Sequence, residues 1–114
     1  MLIFKIVHAD EWAEAERSGS YAGSAKDKAD GFLHFSTASQ LTETLKRYYS
    51  GATDLVLVAV DDTLLGPALR YEHAASRGED FPHLYGPLPV TAVVRTNPIT
   101  STTSCVDVLP PDLE

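Results

Sequence analysis

The sequence has little cysteine, few basic residues and no long hydrophobic run, and each shortage excludes a class of protein. The single cysteine, Cys105, can form neither an internal disulfide nor a zinc knuckle. Nine lysines and arginines against 16 aspartates and glutamates give a net charge of −7, which argues against nucleic acids and anionic membranes as large partners. The apolar start, residues 1–7, is interrupted by Lys5 and is too short for a signal sequence or a membrane span. We therefore predict a cytoplasmic protein.

The 114 residues are typical of one globular domain, with 44% hydrophobic residues. We assign residues 1–99 to this domain and residues 100–114 to a polar C-terminal tail. Two main helices are predicted. Ala9–Ser18 has acidic residues in its first turn and Gly19 just beyond its end. Ala38–Tyr49 carries one apolar stripe and is followed by Ser50 and Gly51.

Strands are predicted where β-branched and aromatic residues form short apolar runs. The unbroken apolar run of Leu55–Val60 is typical of a strand buried on both faces. Residues 19–30 are predicted to be a polar connection. The order of helices and strands predicts an α+β fold with a small curved or split β-structure. The predicted strands are Leu2–Val7, Phe32–Phe35, Leu55–Val60, Leu69–Glu72 and Val90–Val94, with an edge strand at Val106–Leu109.

The segment Gly78–Pro89 combines three prolines, two glycines, two aromatic residues and a histidine, and it shows neither helical nor strand periodicity. We predict an ordered loop without regular structure, anchored by Phe81, in which His83 and Tyr85 form the wall of a small-molecule site. The alternative is that the aromatic residues only anchor the chain and that His83 caps a backbone carbonyl.

A second candidate site lies at the end of the predicted strand Phe32–Phe35. His34, Ser36 and Thr37 would lie there beside a helix N-terminus, where a proton carrier, hydroxyl groups and free N–H donors come together. Gln40 stands three residues after Thr37, as in a capping box. The alternative is that Ser36 or Thr37 serves only as a cap and that His34 is a core histidine.

His8 also follows a strand and precedes a helix, so it is a third histidine that could reach the same site. Glu72 and Glu79 are the acidic candidates for stabilising a cation or taking a proton. No nucleophile elbow, dinucleotide fingerprint or P-loop occurs. The spacing of the histidines matches no local metal motif, so we assign no metal ligands. A zinc site that His8, His34 and His83 form from distant segments remains an alternative.

Several segments together resemble one known family. They are Gly31–Ala38, Leu55–Asp61, Tyr71–Glu72 and Gly78–Leu88, and the resemblance to the DUF952 family, small bacterial proteins of unassigned function, extends over residues 3–96. This resemblance implies an ADP-ribosyltransferase-like fold and the use of NAD. It places His8 at the first-strand position that grips the nucleotide. Glu72 and Glu79 become the candidates for the catalytic acid.

The function predicted from these residues and this resemblance is the binding of a nucleotide of the NAD or ADP-ribose type, with cleavage or transfer of ADP-ribose. No cofactor is assigned, NAD being a candidate substrate, and the oligomeric state stays open. One alternative is a non-catalytic binding or accessory domain, and another is a histidine-based, metal-dependent hydrolase. The predicted catalytic residues are His34, His83, Glu72 and Glu79, and the predicted ligand-binding residues are His8, Ser36, Thr37, Phe81 and Tyr85.

Overall fold

Two three-stranded antiparallel sheets dominate the fold of residues 1–101, the part of the chain that the computed structural model describes. The first sheet has the strand order β1-β4-β8 and the second has the order β3-β6-β5, while β2 and β7 form a short separate ribbon. This arrangement confirms the predicted α+β class. The strands are β1 (Leu2–His8), β2 (Ser20–Tyr21), β3 (Leu33–His34), β4 (Leu55–Asp61), β5 (Leu69–Ala74), β6 (Glu79–Leu84), β7 (Leu88–Pro89) and β8 (Val93–Ile99).

Three α-helices pack around these sheets within the described residues: α1 (Ala9–Ser18), α2 (Ala25–Asp30) and α3 (Leu41–Tyr48), the last preceded by a 3₁₀ turn at Ala38–Gln40. Helix α1 has the predicted bounds, and Gly19 closes it at φ +93°, where its N–H donates to the Ala15 carbonyl. None of the described helices is long and apolar enough to cross a membrane.

The first sheet has one hydrophobic cluster on each face, which explains why its central strand β4 is apolar throughout. Side chains alternate between the faces of a strand, so Val58 and Val60 join the cluster that contains Trp12 of α1. Leu55 and Leu57 join the cluster that contains Leu41 and Leu45 of α3. Both helices are thus fixed to the same sheet, from opposite sides.

The predicted polar connection at residues 19–30 is wrong, because it contains β2 and α2. Helix α2 is one and a half turns long and has no apolar stripe, so hydrophobic periodicity could not reveal it. Its stability comes instead from a capping box, in which the Ser24 side chain accepts from the Asp27 N–H and the Asp27 carboxylate accepts from the Ser24 N–H.

The prediction that Gly78–Pro89 lacks regular structure is also wrong. Residues Glu79–Leu84 form β6, the central strand of the second sheet. The Pro82 carbonyl accepts from the Phe35 N–H at 3.0 Å, just beyond the end of β3. The N–H and C=O of one residue in an antiparallel strand face the same neighbouring strand. At Pro82, that neighbour is the chain just beyond the end of β3, where the regular pairing has ended, so the missing N–H removes no hydrogen bond of the ladder. A proline is therefore tolerated in this central strand.

The last strand of the domain also differs from its prediction. Val90–Ala92 form a 3₁₀ turn, and β8 starts at Val93 and continues to Ile99, past the proline at position 98. Because β8 is an edge strand, it can hold a proline without loss of pairing. The edge strand predicted at Val106–Leu109 lies outside the described residues.

Candidate functional site

A cavity of about 570 Å³ opens beside the β1 edge of the first sheet. Its walls come from β1, helix α2, strand β3, helix α3 and the β5–β6 hairpin. Cavities of several hundred cubic ångströms with apolar walls and a few convergent polar groups are typical of small-molecule sites. The acidic and basic side chains that line it, histidines included, are Lys5, His8, Glu11, Lys26, Asp27, His34, Arg77 and His83.

His34 and His83 lie directly opposite each other on the neighbouring strands β3 and β6, and their ring centroids are 5.5 Å apart. Both line the cavity, which confirms the predicted common cleft. Phe32 packs against both rings, stacked on His83 at 4.1 Å and tilted against His34 at 4.6 Å. One wall of the cavity is therefore a continuous group of flat rings.

The His34 ring is held between two carboxylates of α2. Its Nδ1 lies 2.6 Å from Asp27 Oδ1 and its Nε2 lies 2.9 Å from Asp30 Oδ2. The His34 backbone N–H also donates to Asp27 Oδ1, at 3.1 Å. Because each ring nitrogen faces a carboxylate oxygen, this arrangement suits an imidazolium that donates from both nitrogens.

Asp27 also forms a buried ion pair with Lys5. The Lys5 Nζ lies 2.9 Å from Asp27 Oδ2 and donates to the His34 carbonyl at 2.9 Å, and the two side chains are 4% and 2% exposed. Burial lowers the pKa of Lys5 despite the neighbouring charge. Burial alone would raise the pKa of Asp27, but the hydrogen bond from His34 and the charge of Lys5 hold it well below its usual range. Because Asp27 accepts more hydrogen bonds than Lys5 donates, we regard the carboxylate as the ionised anchor of this cluster.

His83 has a different partner from His34. Its Nδ1 lies 2.8 Å from Glu72 Oε1 on β5, and the same oxygen accepts from the Tyr85 hydroxyl at 2.6 Å. The hydrogen bond from Tyr85, followed by the one from His83, lowers the pKa of Glu72. The hydrogen bond that the Tyr85 hydroxyl donates to Glu72 raises the pKa of Tyr85. Glu72 thus orients the His83 ring from outside the cavity.

Arg77 borders the cavity at the tip of the β5–β6 hairpin. Its guanidinium lies over the Phe81 ring at 4.4 Å, and its side chain is 4% exposed. Nη1 donates to Thr44 Oγ1 at 3.1 Å, and Thr44 in turn pairs with Ser36 Oγ at 2.9 Å. Nε lies 2.9 Å from a carboxylate oxygen of Glu43. Arg77 therefore joins the hairpin to helix α3 at this side of the cavity.

Five of the nine predicted site residues line the cavity: His8, Ser36 and Phe81 in addition to the histidine pair. His8 is exposed, and its ring lies 5.9 Å from that of Tyr49. The other four lie outside the lining. Glu72 and Tyr85 stand behind His83, as described above. The Thr37 N–H donates to Gln40 Oε1 at 3.0 Å, as the capping box predicts, and Glu79 accepts from the same glutamine at 3.3 Å. The functional roles of all nine stay predictions.

The three-histidine zinc hypothesis finds no support in this arrangement. Within residues 1–101, no group of three or more histidine, cysteine, aspartate or glutamate side chains could hold a metal ion.

Sequence reasoning missed Lys5, Asp27, Phe32 and Arg77 as parts of the site. Lys5 did give a signal. Ile3, Lys5 and Val7 stand at every second position of β1 and so lie on the same buried face. A lysine on that face has to be buried and paired with an opposite charge. Its partner Asp27 lies in a short polar helix and gave no comparable signal. For Arg77, the sequence shows only a charge in a turn.

The chain belongs to a family described as "Protein of unknown function (DUF952)", whose family model matches residues 6–96. The fold is thus that of a family whose function is not established. Among solved structures, the chain is similar to the X-ray crystal structure of protein CC0527 from Caulobacter crescentus. The identity is 43%, over 86% of this chain and 85% of that chain, with a TM-score of 0.83. The solution NMR structure of CC0527 matches at 39% identity over 98% of this chain and 89% of that chain, with a TM-score of 0.78. No curated protein matches the chain.

Proposed function

We propose that the cavity binds a small ligand that combines a flat ring with an anionic group, and specifically a nucleotide of the NAD or ADP-ribose type. The observation that carries this proposal is the aromatic wall of Phe32, His34 and His83 beside basic side chains in one cavity. A planar base or a nicotinamide ring gains from offset stacking on such a wall.

The charge of the lining supports an anionic ligand. Among the lining side chains, the three basic groups of Lys5, Lys26 and Arg77 outnumber the two carboxylates of Glu11 and Asp27. The whole chain, by contrast, carries a net charge of −7. A locally basic cavity in an acidic protein favours a small anion over a large polyanion, because the remaining surface repels the latter.

The reaction is a further part of the proposal. The resemblance drawn from the sequence supports an ADP-ribosyltransferase-like fold and the cleavage or transfer of ADP-ribose, with His34 and His83 as the candidate catalytic residues. A non-catalytic binding domain is the second candidate, and one observation favours it. The two acids predicted for catalysis, Glu72 and Glu79, lie outside the cavity lining, while Asp27 inside it is occupied by Lys5 and His34.

Calorimetric titration with NAD, ADP-ribose and AMP tests the binding. We expect at least one of them to bind, and Phe32→Ala to weaken that binding because the stacking surface is lost. His73→Ala is a matched control, since His73 is an exposed residue of β5 outside the lining. Binding of none of the three nucleotides would contradict the proposal. An assay for released nicotinamide then separates a transferase or hydrolase from a binding domain.

A further inference from the structure

The His83 ring is held in place by Phe32 and Glu72 and has one polar atom without a protein partner. Its side chain is 10% exposed, Phe32 covers one face, and Nδ1 pairs with Glu72. Within residues 1–101, no protein group forms a hydrogen bond with the other ring nitrogen, Nε2. The ring nevertheless lines the cavity. Because the side chain is nine-tenths buried and lines the cavity, the ring nitrogen without a protein partner points to a ligand atom as its partner.

The contacts of Glu72 determine what kind of atom that is. A carboxylate oxygen that accepts from Tyr85 can only accept from His83, so the Nδ1 nitrogen must carry the proton. In the neutral ring, Nε2 then holds a lone pair and acts as an acceptor. With the ring in this neutral form, its ligand partner is a hydrogen-bond donor and not the phosphate oxygens of a nucleotide.

We propose that His83 is a specificity-determining residue, whose Nε2 accepts a hydrogen bond from a ribose hydroxyl group of the bound nucleotide. Glu72 and Tyr85 are its positioning residues, because they fix the tautomer without touching the ligand. The inference rests on the proposed function and adds to it the group that the cavity selects. NAD, ADP-ribose and AMP have two kinds of donor in common, the ribose hydroxyls and the adenine amino group, and the test separates the two.

Titration of AMP, 2′-deoxy-AMP, 3′-deoxy-AMP and IMP tests the hydroxyl. We expect one deoxy analogue to bind about tenfold more weakly than AMP, the effect of one hydrogen bond lost at a buried acceptor. IMP, which lacks the amino group, should bind like AMP. His83→Phe keeps a ring against Phe32 but has no acceptor, so AMP and the deoxy analogue should bind it equally.

Two results would overturn the inference and leave the proposed function standing. One is AMP binding without discrimination against either deoxy analogue, and the other is discrimination that persists in His83→Phe. A weaker affinity for IMP alone would assign the contact to the adenine amino group and would also overturn it. If none of the nucleotides binds, the proposed function fails and this inference fails with it.

The tautomer can be tested without any ligand, on the wild-type protein. Long-range ¹H–¹⁵N spectra should show His83 with a protonated Nδ1 and a bare Nε2. Glu72→Ala should convert it to a mixture of tautomers, whereas Glu16→Ala, an exposed change on α1, should not alter it. A proton on Nε2 in the wild type, whether the ring is neutral or an imidazolium, would overturn the inference, whatever the folding behaviour of His83→Phe.

Discussion

Removal of the charge of Asp27 should destabilise the protein more than any other conservative change in the cavity. The Asp27 carboxylate accepts from the Lys5 ammonium, from the His34 ring and backbone, and from the Ser24 N–H. In Asp27→Asn, the buried Lys5 ammonium loses its counter-ion. Breaking one side of a buried pair in this way costs about 3–5 kcal/mol, a large part of the roughly 5–15 kcal/mol that stabilises a domain.

Urea unfolding at neutral pH, followed by the fluorescence of the single tryptophan, measures this loss. Trp12 is 3% exposed and lies 6.1 Å from the Tyr21 ring, so its emission reports on the folded core. The slope of the transition should stay constant while the midpoint falls. Asp30→Asn is the matched control, because that carboxylate pairs with Lys26 and His34 at the surface. We expect it to cost less than about 1 kcal/mol.

The reasoning fails if Asp27→Asn loses no more than Asp30→Asn does. A second variant excludes a merely steric explanation. In Lys5→Met combined with Asp27→Leu, both charges of the Lys5–Asp27 pair are removed together, so the double variant should be more stable than Asp27→Asn alone.

Three further predictions concern pH, the core and the backbone. The native pKa of Asp27 lies below its ordinary value, so the unfolded chain binds a proton at a higher pH than the folded protein does. The stability that Asp27 contributes should therefore be fully present above about pH 4 and be lost as the pH falls below it. Acid titration should show a smaller loss of stability in Asp27→Asn than in the wild type, and equal losses would contradict this. Phe81→Ala should cost about 3–5 kcal/mol in urea, because the ring is 6% exposed, and a loss below about 1 kcal/mol would show that Phe81 anchors nothing. Gly23→Ala should lower the melting temperature more than Gly78→Ala, since both glycines have positive φ but only at Gly23 would a Cβ meet Leu33, at 2.8 Å; equal losses would argue against the clash.

The sequence was sufficient to predict the elements that hydrophobic periodicity governs. Helix α1, helix α3 and the buried strand β4 follow from apolar spacing, and the structure places them close to their predicted bounds. Periodicity could not predict α2, because the burial of Asp27 depends on Lys5 and His34, which other parts of the chain supply.

The strand β6 shows a different limit. Its prolines and glycines predict a turn-rich loop, because Pro82 removes a donor and local rules exclude it from a central strand. Its neighbours decide otherwise: β3 ends where the missing N–H would be needed, and this cannot be read from the segment itself. The juxtaposition of His34 and His83 was predictable nevertheless, because both histidines follow apolar residues that a small core must bring together.

The Lys5–Asp27–His34 cluster joins strand β1, helix α2 and strand β3. Glu72, the partner of His83, comes from β5, and Tyr85, which donates to Glu72, follows β6. No one supersecondary unit contains enough of these groups to form the cavity wall alone. Contacts between distant parts of the chain form only after the intervening loops have closed, which makes them late and cooperative events in folding. The cavity should therefore be complete only in fully folded molecules. Binding of a ligand would then favour the native state alone, so the amount of ligand present would also control how much of the protein survives proteolysis.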